Sequence, residues 1–133
     1  MSDVDLAVAR LQTEEGFRGT AYRDIVGKLT IGYGFNVDAG ISKFAAGELL
    51  RAQVAEIRQQ LTAYRWWPEG DDTRCSVFLD LAFNMGVGGL LHFPHMLACA
   101  EAKDWPGAAD ALLDSQAARM LPTRYKALGD LLR

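Results

Sequence analysis

The chain has 133 residues, of which 50% are apolar and 23% charged, and its formal net charge is −3. That length and balance fit one folded domain with a hydrophobic core and exclude a mainly disordered chain. The acidic total gives no global basic field, so no nucleic-acid partner is expected. No continuous apolar run approaches the roughly 18 residues of a membrane span. The opening "MSDVDLAVARLQ" lacks a basic n-region, so synthesis in the cytoplasm, without a secretion signal, is expected. Cys75 and Cys99 each sit in an apolar helical pattern and read as free thiols rather than a disulfide framework.

The spacing of Val4, Ala7, Val8 and Leu11 predicts a helix from about Asp3 to Glu15, with Gly16 placed to stop it. From Phe17 to Gly40 the helical period is lost amid glycines, β-branched residues and aromatics. Here "TAYR" and "KLTIGY", separated by "DIVG", predict a hairpin or small sheet. Ser42 reads as the N-cap of a long helix, "KFAAGELLRAQVAEIRQQLTAY", striped by Leu49, Leu50, Val54, Ile57 and Leu61. Thr73 opens a strongly apolar core helix that Gly86, Gly88 and Gly89 break. Three shorter helices follow: "PHMLACAEA", "WPGAADALLDS" and "RYKALGDLL". The expected fold is α+β, mainly α. Within one domain, 1–133, a small β-containing lobe spans about 16–41. A helical lobe spans about 65–133 and includes the N-terminal helix, and a long helix connects the two. So small a sheet cannot bury itself, and it is expected to form one lip of a cleft.

The stretch "EEGFRGTAYRDIVGKLTIGYG", from Glu14 to Gly34, concentrates the candidate chemistry. At about 100° per residue, Glu15 falls on the arc of Val4, Val8 and Leu11, whereas Glu14 falls toward Asp3 and Arg10. Glu15 is therefore expected to be partly buried and to lie at the negative end of the helix dipole. Both features favour the neutral, proton-donating carboxyl. Such a group can protonate a glycosidic oxygen. Asp24 lies in the presumed turn, where an aspartate ordinarily bonds to the local backbone. Its other use is as the second carboxylate that inverting glycoside hydrolysis needs. Thr30 is a good strand residue that could also orient the attacking water.

Taken together, Glu15-Gly16, Tyr22-x-Asp24 and "GKLTIGYG" with Thr30 resemble the phage-type lysozyme (endolysin) family. "FNMG" from Phe83, Phe93, "WPGAA" from Trp105, Ser115 and Arg124 continue the similarity, which covers about Leu6 to the C-terminus. The resemblance implies a lysozyme-like fold and an N-acetylmuramidase. Its substrate would be the β-1,4 bond between N-acetylmuramic acid and N-acetylglucosamine in peptidoglycan. Glu15 would be the general acid, Asp24 and Thr30 would manage the water, and the anomeric configuration would invert. Asn36 and Phe83 would contact the glycan, and Arg124 would support Glu15 as an ion pair. No cofactor or metal is implied. The resemblance further implies a monomer held in the host cytoplasm until a holin-type membrane partner releases it to the cell wall. The segment between Thr30 and Phe83 is short for the family, which points to a reduced β lobe. Two other readings compete: a catalytically silent glycan-binding or scaffolding module, and a lytic transglycosylase, which needs no water-holding pair.

Other constellations carry less. His92, His95 and Cys99 have suggestive spacing, but no fourth ligand is close in sequence. Trp66 and Trp67 are expected to close the long helix against the core rather than to stack on sugar. From Gln116 onward Arg119, Arg124, Lys126 and Arg133 stand against Asp130 alone, an excess of +3 (four minus one) that reads as a solvated helix face.

Overall fold

The computed structural model describes residues 2–133. It is mainly helical with one small antiparallel sheet, as the sequence predicts, and its residues form two compact units, 1–48 and 49–133.

In the first unit, α1 (Asp3–Glu15) begins at Ser2, whose hydroxyl accepts from the Asp5 amide while the Asp5 carboxylate accepts from Ser2 N–H. This reciprocal cap satisfies donors that a helix N-terminus otherwise leaves open. The helix ends at Gly16, whose φ of 68° few residues but glycine adopt readily. β1 (Arg18–Arg23), β2 (Leu29–Gly32) and β3 (Phe35–Asn36) then form a sheet in the order β1-β2-β3. The third strand, only two residues long, is not foreseen in the sequence. The register aligns Tyr22 with Thr30 and Thr30 with Asn36, with an irregularity between Arg18 and Tyr22. α1 is grouped with this sheet in one unit rather than with the helices that follow.

α2 (Lys43–Leu61) starts where Ser42 Oγ accepts from the Ala45 amide, as its sequence predicts, and carries the chain into the second unit. Its expected apolar stripe is buried only at Leu61, while Leu49 and Leu50 are exposed.

The second unit contains α3 (Asp72–Leu91), α4 (Pro94–Glu101), α5 (Trp105–Leu113), α6 (Gln116–Met120) and α7 (Pro122–Leu132). The cap of α3 is Asp71, not Thr73: its carboxylate accepts from the Arg74 amide. The helix kinks at Gly86 and then resumes through Gly88 and Gly89, so one glycine of the three breaks it. By length and composition α3 would suit a membrane span. Yet Val77, Phe78, Leu81, Ala82 and Leu90 are packed into the core with Leu61, Met96, Leu112, Tyr125 and Leu132. Trp66 and Trp67 belong to that core, and Trp66 lies 4.9 Å from Phe78, which confirms the packing role expected of the pair. The short α6 is absent from the sequence reading.

Arg74 ties this unit together. It pairs with Asp71 at 2.9 Å, donates to the carbonyls of Leu132 and Arg133, and lies 4.6 Å from the Trp105 ring centre. Hydrogen bonding from the Arg74 amide holds the Asp71 carboxyl below its ordinary range. The Arg74 guanidinium adds to this, and desolvation opposes it. A lowered folded-state value means that this stability is present above about pH 4 and is lost as pH falls through the folded value. Asp71→Asn should therefore flatten the acid limb: its stability deficit in urea melts should shrink between pH 5 and pH 2, roughly the range over which such a carboxylate titrates. A deficit constant with pH would contradict the assignment.

α4 ends in a left-handed residue, Lys103, with φ of 58°. Lys103 N–H reaches the Ala100 carbonyl and Asp104 N–H the Cys99 carbonyl, a helix stop that ordinarily uses glycine. Lys103→Gly should raise stability by about 0.5–1 kcal/mol, because relief of the left-handed strain outweighs glycine's extra unfolded-state entropy. A thermal melt measures this directly, and a lower midpoint would refute it.

Candidate active site

The β1–β2 turn is built on hydrogen bonds to the backbone of Lys28. Asp24 N–H donates to the Lys28 carbonyl at 2.9 Å, and Lys28 N–H donates back to Asp24 Oδ1 at 2.8 Å. Val26 N–H also donates to Oδ1, at 3.0 Å. The turn reading of Asp24 is therefore correct for this oxygen. Oδ2 has no hydrogen-bond partner among the described residues, so the same bonds that fix the carboxylate leave one oxygen available.

Thr30 uses the same anchor. Its hydroxyl donates to the Lys28 carbonyl at 2.9 Å, which leaves the oxygen's lone pairs as acceptors. Thr30 is the one buried polar residue described, 5% exposed. Asp24 and Thr30, six residues apart in sequence, are thus both fixed to one peptide carbonyl. Register partners share a sheet face, so Tyr22, Thr30 and Asn36 stand side by side on it. Asn36 Oδ1 accepts from the Ala39 amide at 3.3 Å.

Glu15 is the last residue of α1, and its carboxylate lies over Gly34 in the β2–β3 turn. A Cβ built on Gly34 would come within 2.8 Å of Glu15 Cδ. The partial burial expected of Glu15 is not observed: the residue is exposed, and α1 has no buried residue. Its apolar stripe, with Val4 66% and Val8 46% exposed, does not enclose the carboxyl. The helix-terminal position stands, and the contact with Gly34 is a feature that sequence reasoning missed. Gly34 has φ of 77°, so Gly34→Ala would strain the backbone by about 1–2 kcal/mol. It would also push the carboxylate aside, and a misplacement of about 1 Å can cost on the order of 100-fold in rate. We expect Gly34→Ala to lower catalytic turnover about 10- to 100-fold with a modest fall in melting temperature. Unchanged turnover would show that the Glu15–Gly34 contact has no bearing on activity.

The remaining candidates are in the second unit. Phe83 is 46% exposed. It lines a groove of about 400 Å³ with Leu50, Val54, Leu79, Asp80 and Arg124. Arg124 donates to Asp80 at 2.6 Å. This partner, 44 residues away in sequence, was not legible beforehand. The C-terminal basic excess is largely paired: besides Arg124, Lys126 meets Asp130 and Arg133 meets Asp110.

Against known families, the phage lysozyme model matches residues 12–124, a span that holds every candidate named above. The chain belongs to the phage lysozyme family. It therefore has a mainly α, lysozyme-like α+β fold and is a glycoside hydrolase of lysozyme type, with peptidoglycan as substrate. Compared with curated proteins one by one, this phage lysozyme matches none significantly. The family match begins within α1 and ends in the first turn of α7, so it takes in both compact units.

Proposed function

We propose that this lysozyme hydrolyses the β-1,4 bond between N-acetylmuramic acid and N-acetylglucosamine by single displacement with inversion. The observation that carries the mechanism is the shared anchoring of Asp24 and Thr30 on Lys28. A water donating its two protons to Asp24 Oδ2 and Thr30 Oγ1 would present a lone pair outward. It would be oriented for attack, with Asp24 as the general base. Glu15, on a different element, would protonate the departing glycosidic oxygen. Asn36, beside Thr30 in register, supports glycan contact on that face, and Phe83 is exposed enough to meet a sugar. Arg124 would assist Glu15, as the family resemblance implies.

The biological setting belongs to the same proposal: a phage or prophage enzyme that acts as a monomer in bacterial lysis. It would wait in the host cytoplasm and reach the wall through a lesion made by a holin-type partner. The chemistry is tested by digesting purified peptidoglycan, measuring reducing ends and weighing the products. Muropeptides that have gained one water, with the α-anomer appearing first, are expected. Anhydro-muropeptides would replace this reading with a transglycosylase. Wall binding with no products would replace it with a silent glycan-binding module.

A further inference from the structure

β1 departs from a regular strand as it approaches the candidate site. Arg18 pairs with Gly32 and Tyr22 with Thr30, so four steps along β1 match two along β2, and β1 holds two extra residues (four minus two). In a regular strand, residues four apart are separated by roughly 13 Å. Here the Arg18 guanidinium carbon lies 4.0 Å from the centre of the Tyr22 ring. Bulges of this kind bend a strand and re-aim a side chain. What is aimed here is a cation, and the ring that carries it neighbours Thr30 in register.

That cation is not neutralised within the fold. Arg18 is exposed. Among the described residues no carboxylate lies within ion-pair distance of it, whereas Arg74, Arg124 and Arg133 each have one. A tyrosine face attracts a guanidinium but leaves the N–H groups around its edge free to donate. The segment 16–41 carries Arg18, Arg23 and Lys28 against Asp24 and Asp38, a charge of +1 (three minus two), although the whole chain totals −3. The planar fork of arginine matches a carboxylate. Peptidoglycan supplies one close to the scissile bond, because the O3 substituent of N-acetylmuramic acid ends in a lactyl carboxyl. That group is free on a bare strand and is extended by an acidic stem peptide on a substituted one. Chitin has neither.

We propose that Arg18 is a specificity-determining residue, which pairs with a carboxylate on the muramic substituent and so favours wall glycan over neutral chitin. This rests on the proposed cleavage beside Asp24 and Thr30, so binding and hydrolysis are measured separately. In the Glu15→Gln protein, calorimetry compares three tetrasaccharides: chitotetraose, the peptidoglycan repeat with free lactyl groups, and the same repeat bearing stem peptides. Arg18→Gln should weaken one or both carboxylate-bearing ligands about fivefold, the worth of one good exposed ion pair, and leave chitotetraose unchanged. A loss confined to the bare repeat assigns the lactyl carboxyl, and one confined to the substituted repeat assigns the stem. Arg18→Lys keeps the charge without the fork and should recover part of the loss, while high salt should shrink the preference. The proposal is overturned if Arg18→Gln weakens all three ligands equally, as a merely structural role would, or weakens none. It is equally overturned if the parent binds none of them at millimolar concentration. Products of the Glu15-containing enzyme are read apart from this: anhydro-muropeptides would end the inverting mechanism and leave the Arg18 preference standing.

Discussion

Glu15→Gln should lower reducing-end release from purified peptidoglycan about 10²- to 10⁴-fold, the contribution of a general acid. Glu14→Gln should leave the rate within about twofold, as expected for a group that takes no part in proton transfer. The two positions are adjacent on one helix, both are exposed, and both substitutions remove the same charge. Any effect of net charge or helix stability is therefore shared between them. What differs is direction: the Glu15 carboxylate lies on Gly34, at the turn beside the strand that carries Thr30. Equal losses in both variants would mean that charge, not proton donation, is at work. Retained activity in Glu15→Gln would move the acid elsewhere. Circular dichroism at matched concentration keeps folding out of the comparison.

Phe78→Ala should destabilise the second unit by about 3–5 kcal/mol, the usual cost of emptying a fully buried aromatic site. Phe78 is 0% exposed and packs against Trp66, which in turn stacks on Tyr64 at 5.4 Å. The cavity would open between large rings that cannot readily close it. Since domains are stable by only about 5–15 kcal/mol, the urea midpoint should fall by about a fifth or more. Phe83→Ala, five positions along the same helix, is the contrasting case. Its side chain is nearly half exposed, so stability should change by less than about 1 kcal/mol, while the Michaelis constant rises if Phe83 meets the glycan. A large stability loss at Phe83, or none at Phe78, would reverse the roles given to these two rings.

Capping chemistry made several features legible in the sequence. Ser42 announced α2 through a hydroxyl that needs only a neighbouring amide, and Gly16 announced the end of α1. Such signals are local, and local signals survive without knowledge of the fold. The choice of Glu15 over Glu14 was made by helical phase, but the burial inferred with it failed. An apolar stripe indicates which residues share a face, not whether that face is covered. Asp24 had two readings, and both its carboxylate oxygens matter: one serves the turn, and the other is left open. What the sequence concealed depends on distance or brevity. Asp80 as the partner of Arg124 requires the return of α7 onto α3. β3 and α6 are too short for periodicity to register. The seating of Arg18 on the Tyr22 ring is visible only once the register is known.

The hold of Arg74 on the last turn of α7 links residues 58 positions apart. A ribosome must therefore deliver nearly the whole second unit before the start of α3 can be secured, and closing so long a loop is entropically expensive. Once closed, α3 and α7 should open together, their slowest amides exchanging with deuterium at one common rate. Such a unit should resist nicking at single helices and give way only as a whole.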